Sequence, residues 1–499
     1  MANHIQNVDT VTNYSAYTGI PLNMVTQELD GIFGATILKE LGEIIRLYQI
    51  YEYGADFGFN SEDSSGAVFD LRYKNIRALI DKEARFLFAK SPDLKIEAQQ
   101  LSNNAAENEM LNNEIPILQT LVDNVLAGNN FPDKLIKAAK DCLIGKRIAC
   151  VLNFNEKGIK IAFIPSLEFI FETSEEDENE LVKFICFYTT HESDIKADQR
   201  IYRKKYWMDK GFCWINEGIY DGMGKLVEEK TPDTKTLFQY IPATIIKNDG
   251  LTGDINGESE INKLVDYESW YSRLSNADIE ALRKSMNPIK YTVDCDPSST
   301  NNLSLAAGAF WDLKTDETVD GRTGAVGTLE SQISYSTALG STLERIKGMM
   351  YEQVDVPNID AEKMKGMITS GKTLKAIYWP LIVRCDEKMK AWKPSLKFVI
   401  DTIIYGARLY PDFAKAYCNE PIPIDNVYRV IADNQYPLPE DEAEEKQVDL
   451  SEINAQTMSR KTYMMKWRNL TSDEAEAEIK QISLEKSLLE DTVMPPMDE

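Results

Sequence analysis

Residues 365–375 read KGMITSGKTLK. Gly366, Gly371, Lys372 and Thr373 stand in the order G-x-x-x-x-G-K-[ST], the glycine-rich turn that cradles nucleotide phosphates. Such a turn binds phosphate in one setting only. A buried strand must feed it, and it must open a helix whose first amides face the anion. A helix is expected after Lys372. A strand before Gly366 is not, because residues 356–365, VPNIDAEKMK, carry a proline and four charges. That composition does not suit the central strand of a parallel sheet. Asp401, a carboxylate that could hold magnesium, falls inside a helical pattern and not at a strand end. The match is therefore read as the start of a long helix, with an ATP-hydrolysing enzyme as the alternative.

The helical pattern runs from Thr373 to about Tyr410 through Leu374, Ile377, Tyr378, Leu381, Cys385, Met389, Trp392, Leu396, Val399, Ile400 and Ile403. Pro380 and Pro394 each delete a hydrogen bond and crowd the preceding turn, so a kinked helix or two in series is expected. Two more long helices precede it. One spans about 258–285, with Ile261, Leu264, Val265, Tyr271, Leu274, Ala277 and Ala281 at helical spacing, and Asn287-Pro288 ends it. The other spans 329–352, marked by Leu329, Ile333, Leu339, Leu343, Ile346 and Met350. Between them, IKYTV and AFWDL read as strands, while DPSSTNN and TDETVDGRTGAVG read as turns. The pattern predicts two packed helices carrying a small β module at their far end. Asp294 and Asp296 form a D-x-D inside VDCDPSS, where turn formers surround them, so a turn is expected and a metal site is not.

Elsewhere, residues 73–90 show a helix with Ile76, Leu79, Ile80, Ala84, Leu87 and Phe88 on one face, and DLKIEA reads as a short strand. Another helix ends near Gly145. RIACVLNF, KIAFIPS, EFIFET, LVKFICFYTT, RIYRKKYWMD and CWINEGIY are rich in aromatic and β-branched residues and read as antiparallel sheet. IPATIIKNDGLTGDINGESE reads as a loop, VYRVIADNQYPLPEDEAEE as one strand and an acidic loop, and the tail from 450 as charged helices with a start at Ser472.

The chain has 499 residues, 80 acidic against 55 basic, and a net charge of −25. A protein that grips DNA by neutralising phosphates carries a basic face. This one repels DNA on average, which still permits a protein that lets DNA slide past. Two histidines, His4 and His191, supply little for histidine-based catalysis or metal binding. Seven scattered cysteines without a C-x-x-C pair read as reduced thiols. No apolar run of about 18 residues predicts a membrane span, and the polar start MANHIQNVDTVTNY does not read as a secretion signal.

Five stretches in order carry a family resemblance. They are NIRALIDKEARFLFAKSPDLKI, AAKDCLIGKRIACVLNFNEKGIKIAFIPSLEFIF, YIPATIIKNDGLTGDINGESEINKLVDYESWYSRLSNADI, DVPNI followed by SGKTLK, and YPLPEDEAEEKQVDL followed by MSRKTYM. Together, over about 70–490, they resemble the portal proteins of tailed bacteriophages in the siphophage-like class. Ser91 departs from the family, which often has glycine before that proline.

The resemblance implies a mixed α+β, mainly α-helical portal fold that assembles as a ring, usually of twelve chains. The implied parts are a wing (1–257 and 372–448), stem helices (258–285 and 329–353), a clip (286–328), a tunnel loop (354–371) and a crown (449–499). The ring would be a channel for double-stranded DNA in packaging and ejection. Asp360, Lys363, Met364, Lys365, Met367, Ile368 and Lys372 would meet the DNA transiently and without sequence specificity. The clip, with Asp294, Asp296, Phe310, Trp311, Lys314, Asp316, Glu317 and Arg322, would dock the terminase large subunit and later the head-completion adaptor. Major capsid and scaffolding proteins are further implied partners. The virion, and the host cytoplasm during assembly, are the implied locations. On this reading Gly371 serves a turn, Ser370 caps the helix, and no catalytic residue, cofactor or metal is implied. A P-loop packaging ATPase and a non-channel capsid or scaffold component are the alternatives. A twelve-chain ring would carry on the order of 300 excess negative charges, which disfavours wells that trap moving phosphate.

Overall fold

The computed structural model describes residues 10–29, 31–56, 71–99, 105–286, 289–300, 314–316, 318, 321, 323–329, 335–359, 371–423, 428–437, 442–468 and 470–491. The fold is mixed α+β with helix predominating. The chain divides into two compact units, one of residues 1–358 and 380–436, the other of 359–379 and 437–499.

In the larger unit every described strand pair is antiparallel. Arg147–Asn155 is the centre of a three-stranded sheet, between Gly158–Pro165 and Ala243–Lys247. Phe169–Thr173, Leu181–His191, Arg200–Asp209, Phe212–Tyr220 and Leu226–Lys235 form a five-stranded meander. Short turns between strands rich in Phe, Tyr, Trp and Ile favour this sequential pairing. Asp93–Ala98 pairs with Tyr428–Asp433 across more than 300 residues of chain, Ile96 facing Val430.

Residues 10–29, for which the sequence offered no element, contribute core. Helices Thr10–Thr18, Leu22–Thr26 and Gly31–Tyr53 bury Tyr14, Ile20, Met24, Val25, Leu41 and Ile44 against Leu167, Ile185, Phe187 and Ile201. Tyr14 Oη donates to the carbonyl of Leu167 at 2.7 Å. The helix Asn75–Phe88 buries every apolar position expected of it, and Glu83 with them.

Several expectations need correction. ATIIK, read as loop, is the strand Ala243–Lys247, because its β-branched residues complete the sheet beside Arg147–Val151. AVGTL, read as turn and helix start, is the strand Ala325–Leu329, paired with Ile289–Val293. Its glycine misled: Gly327 lies under the Tyr291 ring, where a Cβ would collide. The helix expected from 329 starts at Ser336. The helix Ala105–Gly128, with Pro116 inside, and the strand Leu226–Lys235 were not foreseen. Gly371–Leu409 is one helix through both Pro380 and Pro394, held by its buried stripe from Leu374 to Ala407. The boundary between the two units falls within it, at Pro380.

In the smaller unit, helices Glu442–Asn454, Arg460–Arg468 and Ser472–Asp491 follow one another. Trp467 Nε1 donates to Asp449 Oδ2 at 2.7 Å, tying the first to the second. The third starts on a reciprocal cap one residue before the expected Ser472. Thr471 N donates to Glu474 Oε2 (2.9 Å), and Glu474 N to Thr471 Oγ1 (3.4 Å).

Candidate functional site

The helices Glu260–Met286 and Ser336–Gln353 pack together and carry the hairpin Ile289–Val293/Ala325–Leu329 between them. Ser259 sets the start of the first helix, its Oγ accepting from Ile261 N at 3.2 Å. That helix was expected to bury an apolar stripe throughout. It does so only over its first turns, through Ile261 and Leu264. Beyond them the buried positions are Glu268, Ser272, Ser275 and Asn276, while Ala277 is exposed. The polar face is used by the backbone of residues 71–75. Leu71 N donates to Asn276 Oδ1 (3.0 Å), Asn276 Nδ2 to Leu71 O (2.8 Å), and Asn75 N to Glu268 Oε1 (3.0 Å). Two side chains thus satisfy backbone groups of this segment. The second helix is far less seated: Met350 is its one buried residue among those described.

At the base of this pair lies a buried charge cluster that the sequence reading missed. Arg384 Nε donates to Glu83 Oε1 (2.9 Å), Arg384 Nη2 to Glu260 Oε2, and Arg384 Nη1 to Asp355 Oδ2 (3.3 Å). Lys388 donates to Glu260 Oε1 (2.5 Å) and to Asn248 Oδ1 (2.8 Å). Glu83 and Glu260 are fully buried, whereas the Asp355 side chain is 42% exposed. Burial works to raise Glu260, but Lys388 and Arg384 overcome it and hold the carboxyl well below its ordinary range. Burial, and then the charge of Glu260, push Glu83 upward against the same two cations. The cluster joins four segments: the helix Asn75–Phe88, the start of the first paired helix, the exit of the second, and the long helix Gly371–Leu409.

At the hairpin end, the chain brings four of the expected clip residues together. Asp296 N donates to the carbonyl of Lys314 (2.9 Å) and Asp316 N to that of Asp294 (3.0 Å), around a bridge of Cys295 with Thr315. The D-x-D, expected as a turn, bends at Asp294, pairs through Cys295 and leads from Asp296 into the short helix Pro297–Thr300. Asp294 has φ of 52°, and the Asp296 carboxylate accepts from Ser298 N at 2.9 Å. Asp316 does the same for Thr318. Phe310, Trp311, Glu317 and Arg322 lie outside the described residues, as do Asp360, Lys363, Met364, Lys365, Met367 and Ile368. Lys372 lies in the first turn of the long helix, and its side chain is outside them too.

The nucleotide reading finds no support in this setting. The residues leading to the match, 354–359, form a turn and then no regular structure, and the described strands pair antiparallel. Asp401 lies within the long helix, hydrogen-bonded by Tyr428. Titration calorimetry of the full chain with Mg-ATP should show no binding at millimolar ligand. Micromolar binding lost in Lys372→Ala would restore the ATPase reading. No described helix is long and apolar enough to cross a membrane.

The family model described as phage portal protein, SPP1 Gp6-like, matches residues 74–488. No curated protein matches the chain. Similar solved structures include a chain from the neck of an empty GTA particle, computed with C6 symmetry, and one from the neck of a native GTA particle, computed with C12 symmetry. Each is 11% identical, with 85% of this chain and 92% of that chain covered and a TM-score of 0.40. A chain from the virion of a native gene transfer agent particle is 10% identical over the same shares, with a TM-score of 0.39.

Proposed function

The chain belongs to the SPP1 Gp6-like family of phage portal proteins, and we propose on that premise that its copies close into a ring that conducts double-stranded DNA at a capsid vertex. The observation that carries the reading is the helix pair with its terminal hairpin, lying inside the matched span. In the ring these are stem and clip. The second stem helix buries little within its own chain, which leaves a long surface for neighbouring copies. The hairpin has two strands, and such a unit gains stability when its edges find partners. The clip then serves both subunit association and the docking of the terminase motor and the head-completion adaptor. The chain acts as a structural conduit and not as the motor's enzyme.

Residues 354–371 are proposed as the collar around the DNA, with Lys363 and Lys365 giving weak, salt-screened phosphate contacts. The stretch has no arginine, and arginine is what tight bidentate holding of phosphate would use. Negative-stain images of the purified chain should show hollow rings. Changing Lys363 and Lys365 to glutamate should leave rings intact and reduce DNA packaged or retained in assembled particles, more than changing both to alanine. Assemblies without a central hole would end the channel reading. Wild-type retention by the double-glutamate protein would move the constriction away from this stretch.

A further inference from the structure

One guanidinium touches both roots of the stem. Arg384 Nη2 meets Glu260, the first residue of the first stem helix. Arg384 Nη1 meets Asp355 and, at 3.5 Å, the carbonyl of Gln353, the last residue of the second. The helices leave the body and re-enter it on the two sides of one planar fork. Guanidinium donors point in fixed directions, so the acceptors they engage are held at a fixed separation and angle. We propose that Arg384 is the positioning residue that sets the splay of the two stem helices at their root, and that Asp355 is the handle by which it holds the second.

Three features bear on this. Arg384 cannot follow the stem passively, because Glu83 holds its Nε from a third side and Lys388 and Asn248 brace Glu260. The chain is shaped to present Asp355. The second helix stops in a turn with Asp355 N on Glu352 O (3.2 Å) and Val356 N on Tyr351 O (3.0 Å), with Asp355 at φ of 52° and Val354 and Val356 buried on either side. Besides its packing along the first helix, the second buries Met350 alone among its described residues, and Tyr351 receives Lys82 Nζ at 3.2 Å. The consequence for DNA, a root splay that sets the width of the channel, rests on the portal reading; the positioning does not.

Hydrogen–deuterium exchange of the full chain tests it. In Asp355→Asn, amides of 346–358 should exchange up to about fivefold faster, the upper end for a part-exposed ion pair. Those of 260–270 and of the strands in 147–165 should keep wild-type rates. High salt should reproduce the Asp355→Asn effect in the wild type and add nothing to the variant. Arg384→Lys keeps the charge and loses the fork, so both 346–358 and 260–266 should exchange about tenfold faster. Unchanged exchange at 346–358 in Asp355→Asn would overturn the proposal, as would an equal rise in the sheet, which would make the contact one of many that hold the fold. No DNA enters the measurement, so its failure leaves the portal reading standing, and absent rings in the micrographs leave the fork standing.

Discussion

Arg384→Met lowers the stability of the larger unit by about 3–5 kcal/mol, because it leaves two buried carboxylates with too little positive charge. Methionine keeps most of the side chain's length, so no large cavity opens at this position. The charge changes a great deal. Glu83 and Glu260, both fully buried, are left with Lys388, which lies 3.5 Å from one and 2.5 Å from the other, and with Lys263 at 3.5 Å from Glu260 alone. One Glu83 oxygen, Oε2, already has no hydrogen-bond partner. Without Arg384 the other loses its 2.9 Å contact as well. For a unit of this size the melting temperature should fall by roughly 5 °C in calorimetry. A second variant separates charge from shape: Glu83→Met with Arg384→Met removes a buried carboxylate together with the lost cation, and should be less destabilised than Arg384→Met alone. A single variant within about 1 kcal/mol of wild type would show that the cluster does not depend on charge balance.

Much of this architecture is legible in the sequence, and the illegible parts share a cause. Long helices announce themselves through apolar spacing, as Leu381, Cys385, Met389, Trp392 and Leu396 do, and tertiary burial then carries Gly371–Leu409 through two prolines. Alternation and aromatic content mark the meander strands. What was lost lies where polar residues do the work of apolar ones. Glu83 falls at core spacing between Ile80 and Leu87, and Arg384 and Lys388 stand four apart beside Leu381 and Cys385. Read as buried positions, these were the available signal for the charge cluster. Glu268 and Asn276 were hidden for the same reason, since their partners are backbone atoms of residues 71–75, about 200 positions away. Strand Leu226–Lys235 is charged on both faces and mostly exposed, so only its neighbour Phe212–Tyr220 makes it a strand. The family resemblance implied Asp294, Asp296, Lys314 and Asp316 as clip residues, and the chain brings these four together, but it said nothing of how the two paired helices are rooted.

Glu168→Gln makes the protein more stable above neutral pH and leaves it unchanged in mild acid. Glu168 closes the short 3-10 turn Ser166–Glu168, which packs against the helices Gly31–Tyr53 and Phe131–Gly145. The turn cannot easily move away. Ser166 Oγ donates to Gly145 O at 2.6 Å, and the carbonyl of Leu167 receives Tyr14. Burial, and then the nearby Asp141, raise the Glu168 carboxyl from 4.5 to about 7. Asp141 is itself raised to about 6 by burial, against the hydroxyl of Tyr48 and the charge of Lys140. The sign follows from the proton count. Below about 4.5 Glu168 is protonated in both folded and unfolded chains, and its favourable contribution is complete. As pH rises toward 7 the unfolded chain releases the proton first, and stability falls until the folded carboxyl also ionises. Glutamine keeps the shape of the protonated acid and removes that loss. Urea unfolding near pH 8 should therefore place Glu168→Gln about 2 kcal/mol above wild type, a figure reduced for the part of the side chain that reaches water. Near pH 4.5 the two curves should nearly coincide. A variant less stable than wild type at the higher pH would mean that the carboxylate is wanted in the folded chain, and that a cation or donor reaches it there.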